Sequence, residues 1–163
     1  MVLASALRRI GTWREAADKL AVVPRTDAEK AALGLGVFSL ALGVAELLAP
    51  ARVARLVGVV DDGNNRALLR AAGLRELAAG VGILTHERPS HWLWGRVGGD
   101  VLDLALLANA LKSGSARPER TVLATVAVLG MTALDALCAR ALEEQTQASE
   151  RPLLESGDIK GQA

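Results

Sequence analysis

Aromatic residues are nearly missing: they make up 2% of the 163 residues, as three Trp, one Phe and no Tyr. Yet 51% of the chain is hydrophobic, so Ala, Leu and Val carry the apolar content, with 16 Gly beside them. A core of this size in water draws on more Phe, Tyr and Ile. Small residues suit helices whose backbones approach closely in lipid. An excess of one charge is missing too. Lys and Arg number 19 against 18 Asp and Glu, a net of +1 that removes the electrostatic case for nucleic acid as a partner. The single cysteine, Cys138, excludes an internal disulfide and a cysteine metal cluster, and is read as a small packing residue. Histidine is down to two. Both lie on the polar turn His86-Glu87-Arg88-Pro89-Ser90-His91 and are read as solvated, so no metal or other cofactor is expected.

What is present is a set of long apolar runs, and the run at 92–111, WLWGRVGGDVLDLALLANAL, organises the rest. It opens on Trp92 and Trp94, an aromatic pair suited to a membrane interface. Its charged residues Arg96, Asp100 and Asp103 stand at i, i+4 and i+7, one stripe on an otherwise apolar helix. A surface helix in water is polar over about half its circumference, so this pattern predicts a spanning helix with its charges turned inward. Three further runs are predicted to span, at 31–49, 68–85 and 121–142. The first, at ~1.5 Å per residue, matches the hydrocarbon thickness of a bilayer. It places Gly36, Ser39 and Gly43 on one face, which Glu46 continues. The second carries Arg70 at its start and Arg75-Glu76 inside, with Gly73, Glu76 and Gly80 sharing a face. The fourth contains Asp135. Each small-residue groove therefore leads to an acid.

The segments around these runs are polar or amphipathic. In 1–24, Leu3, Leu7, Ile10, Trp13, Ala17 and Leu20 recur at helical spacing opposite Arg8, Glu15 and Lys19. That pattern predicts an amphipathic helix lying on the membrane, and the segment lacks the apolar core of a signal peptide. Thr26 or Asp27 is placed to cap the first span. ARVARLVGVV predicts a short surface helix, with Val53, Leu56, Val57 and Val60 on one side and Arg52 and Arg55 within reach of phosphates. Asp61-Asp62-Gly63-Asn64-Asn65 is turn chemistry. Residues 143–163 lose periodicity and are expected to form a disordered polar tail.

The expected architecture is all-α: an integral membrane four-helix bundle preceded by an amphipathic interfacial helix. Arg8, Arg9, Arg14, Lys19, Arg25 and Lys30 precede the first span and favour both termini on the cytoplasmic side. Ionisable groups inside a membrane are expensive and face a bundle interior or a wet cavity. The expected inward network is Glu46, Arg75, Glu76, Arg96, Asp100, Asp103 and Asp135. Two arginines face five carboxylates there, and either protons or a bound cation must balance the acidic surplus.

A resemblance enters on GVFSLALGVAELLAPARVARLVGV, LLRAAGLRELAAGVGIL and PSHWLWGRVGGDVLDLALL. Over roughly 33–140 the chain resembles the membrane-embedded N-terminal region of bacterial cyclase/dehydrase proteins, most specifically in its Gly-Leu-Arg-Glu and Arg-Val-x-Gly-Asp-x-x-Asp-Leu runs. The resemblance implies a four-helix, multi-pass protein of the bacterial inner membrane. In those proteins a START-like soluble domain follows, with no counterpart expected here, so its cyclase activity is not carried over. Three functions stay open. The leading one, which leans away from an enzyme, is a module binding membrane lipid, a membrane-protein partner or a second copy of the chain. The second is an enzyme using Glu76, Asp100, Asp103 or Asp135 as a carboxylic acid–base on a prenyl or quinone-like substrate. The third is a small proton- or cation-coupled transporter. A soluble four-helix bundle is the alternative to all three.

Overall fold

Capping residues set where the helices begin. The computed structural model describes residues 26–114 and 117–158, with side chains as far as 149. The expected amphipathic helix at 1–24 therefore lies outside the described residues. Thr26 caps α1 (Asp27–Leu48) in a capping box: its hydroxyl accepts from Glu29 N at 3.2 Å, and Glu29 Oε2 accepts from Thr26 N at 3.0 Å. Pro50 then starts the short α2 (Pro50–Val57), where a missing N–H costs nothing. Asp62 caps α3 (Gly63–Thr85) through Asn65 N at 2.8 Å, so the helix begins a turn before the apolar run that predicted it. The polar turn at 86–89 leads into α4 (Ser90–Lys112), and Pro118 opens α5 (Pro118–Asp158).

The described residues are all helical, with no strand among them. Two of the helices, Asp27–Leu48 and the Pro118–Ser149 part of α5, are long and apolar enough to cross a membrane. α3 and α4 are as long as α1 but carry the charged pairs. One segment departs from expectation. Residues 143–158, assigned from sequence to a disordered tail, continue α5 as helix. Periodicity detects a helix only by its packed stripe, whereas Glu, Gln and Ala extend an existing helix without one.

α1 lies antiparallel along α3, and α4 antiparallel along α5. The first pair packs backbone to backbone. A Cβ added at Gly43 would stand 2.7 Å from Gly73 O, and one at Gly80 would stand 2.9 Å from Gly36 O. The two small-residue faces seen separately in the sequence are thus the two halves of one interface. The pairs meet in a small apolar cluster at the 86–89 end, where Ala32, Leu35, Ile83, Leu93, Cys138, Ala139 and Leu142 are buried together. Trp92 and Trp94, expected as interface anchors, sit half-buried against this cluster. Trp92 packs across Gly82, and Trp94 Nε1 donates to Glu143 Oε1 at 2.8 Å.

α2 closes the opposite end. It turns into the connector through Gly58, whose φ of 82° lies in the left-handed region and whose Cα faces the start of α5. Arg120 Nη1 donates to Arg55 O at 2.9 Å and ties α2 to α5. Asp61 accepts from Arg66 Nε at 2.7 Å and from Arg55 Nη1 at 2.9 Å. The hydrogen bond from Arg66 holds the Asp61 carboxyl below the usual carboxylate range. Folding favours its charged form, so its contribution is full above the ordinary range and is lost as pH falls through the lowered value. Hydrogen exchange of the 58–66 amides, corrected for intrinsic rates, is expected to quicken below about pH 4. Asp61→Asn should show no such step.

Candidate functional site

Polarity in these helices is inverted. Ser39, Glu46, Glu76, Arg96, Asp100, Thr121 and Asp135 are buried, while Leu123 is 69% exposed, Leu137 64% and Leu102 62%. The expected network residues all project inward. Their positions follow from helical spacing: Ser39 and Glu46 lie on the α1 face that meets α3, Arg75 and Glu76 sit midway along α3, and the Arg96–Asp100–Asp103 stripe runs up α4.

Arg96 is the largest fully buried side chain, 1% exposed. Its Nε donates to both oxygens of Asp135 on α5, at 3.2 and 3.0 Å, and its Nη1 donates to Glu76 Oε2 on α3 at 2.5 Å. Nη1 also donates to Ser39 Oγ on α1, and that hydroxyl donates to Glu76 Oε2 at 2.5 Å. One guanidinium on α4 therefore joins the other three long helices. Arg75 forms the second centre. Its Nη2 donates to Asp103 Oδ2 at 2.7 Å and to Glu76 Oε1 at 3.1 Å, and its Nη1 donates to Gly99 O at 3.0 Å. Glu76 thus gives one oxygen to each arginine.

Three of the four candidate acid–base residues are consumed by these pairs: Glu76, Asp103 and Asp135 each hold an arginine. Asp100 does not. It accepts from Thr132 Oγ1 on α5 at 2.9 Å and has no basic side chain within ion-pair distance among the described residues. Glu46 also has no ion-pair partner among the described residues. It is 7% exposed, its Oε2 is buried with no hydrogen-bond partner among them, and it lies in the field of Asp103, Glu76 and Arg75. Arg75 Nε is likewise buried with no partner among the described residues. The sequence reading placed Ser39 only in a packing groove and passed over Thr132. Thr132 stands three residues before Asp135 on the same helix, and Ser39 lies between two interface glycines, so position alone marked both.

Below α2, the two helix pairs diverge around a cavity of about 650 Å³. That is the size of a site for a small organic ligand. Glu46, Glu76, Arg96, Asp100 and Asp103 form its polar floor, and Phe38, Leu42, Leu106, Val128 and Met131 are among its apolar walls. Exposed Asn64, Asn109 and Ser113 stand at its rim, beside α2. The arrangement can take an elongated molecule with an apolar body and one polar end. No protein-family model matches the chain, and no curated protein or solved structure matches it significantly.

Proposed function

We propose that the chain is a multi-pass protein of the bacterial inner membrane, a four-helix membrane bundle of α1, α3, α4 and α5, that binds a lipid-like amphiphile in the cavity between its helix pairs. The observation that carries this reading is the inversion of polarity. In water, burying Arg96 and Asp135 while leaving Leu102, Leu123, Leu134 and Leu137 outside gives up the main driving force for folding. In lipid the same distribution is the favourable one, because apolar side chains meet acyl chains and charges pair inside. α3 and α4 enter such a surroundings only with partners, since an ionised residue at a lone helix centre costs ~2.5–3.5 kcal/mol on the insertion scale. Arg75 and Arg96 supply those partners across helices.

The resemblance to the membrane region of cyclase/dehydrase proteins agrees with this placement and brings no chemistry with it. Three of the four candidate acid–base residues, Glu76, Asp103 and Asp135, are taken up in arginine pairs, which supports binding over catalysis; Asp100 is the one left to the enzyme reading. Membranes from cells expressing the protein, washed in alkaline carbonate, are expected to retain it in the pellet. Release into the supernatant would overturn the membrane reading and leave an ordinary helical protein in its place.

A further inference from the structure

The cavity floor is unbalanced, and the imbalance has a location. Of the five inward carboxylates, three are held by the two arginines, leaving Glu46 and Asp100. Both line the cavity. They approach it from different helices, Glu46 from α1 and Asp100 from α4. Glu46 is 7% exposed, and its Oε2 is buried with no hydrogen-bond partner among the described residues. Among them Asp100 has a single neutral donor, Thr132 Oγ1. A buried carboxylate without a partner loses its hydration and regains nothing, so it favours taking up a proton or an occupant that brings positive charge. Each long helix also gives the cavity apolar wall, Phe38 and Leu42 from α1, Leu69 from α3, Leu106 from α4, Val128 and Met131 from α5. Asp62, Asn64, Asn65, Asn109 and Ser113 line it polar toward the connectors.

Resting on the reading of the cavity as an amphiphile site, we propose that its ligand is a lipophilic cation, whose positive end lies between Glu46 and Asp100 and whose apolar part fills the space toward α2. Arg96 and Arg75 stay committed to their own carboxylates and add no second cation site. An anionic amphiphile of the same shape meets two unpaired carboxylates and is excluded.

Charge sign is separated from shape by decyltrimethylammonium and decyl sulfate, two single-chain amphiphiles of nearly the same length and apolarity. Equilibrium dialysis uses the full chain in non-ionic detergent, with protein-free micelles as the blank. Decyltrimethylammonium is expected to bind saturably and decyl sulfate not to bind. Glu46→Gln and Asp100→Asn should each weaken the cation by about tenfold or more, since each removes one of the two opposing charges. The comparison of the two ions needs no variant, so a substitution that fails to fold does not decide it. If both ions bind alike, or if Glu46→Gln and Asp100→Asn fold and bind the cation as tightly as the parent, the cation proposal falls while the amphiphile cavity stands. If neither ion binds but uncharged decanol does, the cation proposal alone falls; if none of the three binds, both fall.

Discussion

Replacing Arg96 by Met is expected to cost about 3–5 kcal/mol of stability, the range for removing one partner of a buried ion pair. Arg96 is 1% exposed and Asp135 0%. The substitution leaves Asp135 without any cation and takes from Glu76 the shorter of its two arginine contacts, 2.5 Å against 3.1 Å. Ser39 loses its donor at the same time. Arg96→Lys is expected to recover little. A single ammonium cannot reproduce a fork whose Nε faces α5 while its Nη1 faces α1 and α3. The informative variant is the triple change Arg96→Met, Glu76→Gln, Asp135→Asn. It removes the charges together, and a buried ion network replaced by neutral groups is often no less stable than the original. Unfolding in detergent micelles, followed by circular dichroism, measures all three. A triple variant as unstable as Arg96→Met would mean that shape, not charge, holds the centre together.

The second large effect is steric. Gly43→Leu and Gly73→Leu each put a side chain where the opposing backbone already stands: a Cβ at 43 meets Gly73 O at 2.7 Å, and a Cβ at 73 meets Gly43 O at 2.8 Å. Overpacking typically costs 1–3 kcal/mol, and the upper end or beyond is expected here because a carbonyl cannot rotate away as a side chain can. The loss should also spread. Separating α1 from α3 pulls Ser39 off Glu76, so the charged centre loosens with the glycine contact. Gly34→Ala is the control on the same helix. Nothing lies within 4 Å of its added Cβ, and the greater helix propensity of Ala should leave stability unchanged or raise it by up to ~1 kcal/mol. If Gly43→Leu behaved like Gly34→Ala, the close approach of α1 and α3 would not matter to the fold.

Much of the site was legible one helix at a time. Arg96, Asp100 and Asp103 announced an inward stripe because helical spacing alone puts them on one face. Gly36, Ser39 and Gly43 did so for α1, and Gly73, Glu76 and Gly80 for α3. Periodicity is a property of a single helix, so it reports which face turns inward and nothing about what that face meets. For the same reason it missed the helix over 143–158, where the sequence carries no apolar periodicity. Nor did it show that Trp92 packs on Gly82 or that Trp94 bonds Glu143, contacts between separate helices.

Composition and helical spacing determined by themselves that the described residues are helical, that two of the helices are apolar enough to cross a membrane, and which ionisable residues face inward. These follow from local backbone geometry and from the cost of exposing or burying each side chain. The tertiary structure alone decided the pairing. Five carboxylates and two arginines on four helices admit many arrangements, and the register of α1 on α3, of α4 on α5 and of α3 on α4 selects one. In it Glu76 bridges both guanidiniums, Asp135 and Asp103 each take one, and Glu46 and Asp100 are left facing a cavity. Which acids an arginine holds and which it does not depends on distances of a few ångströms between helices, and no spacing along one helix contains them.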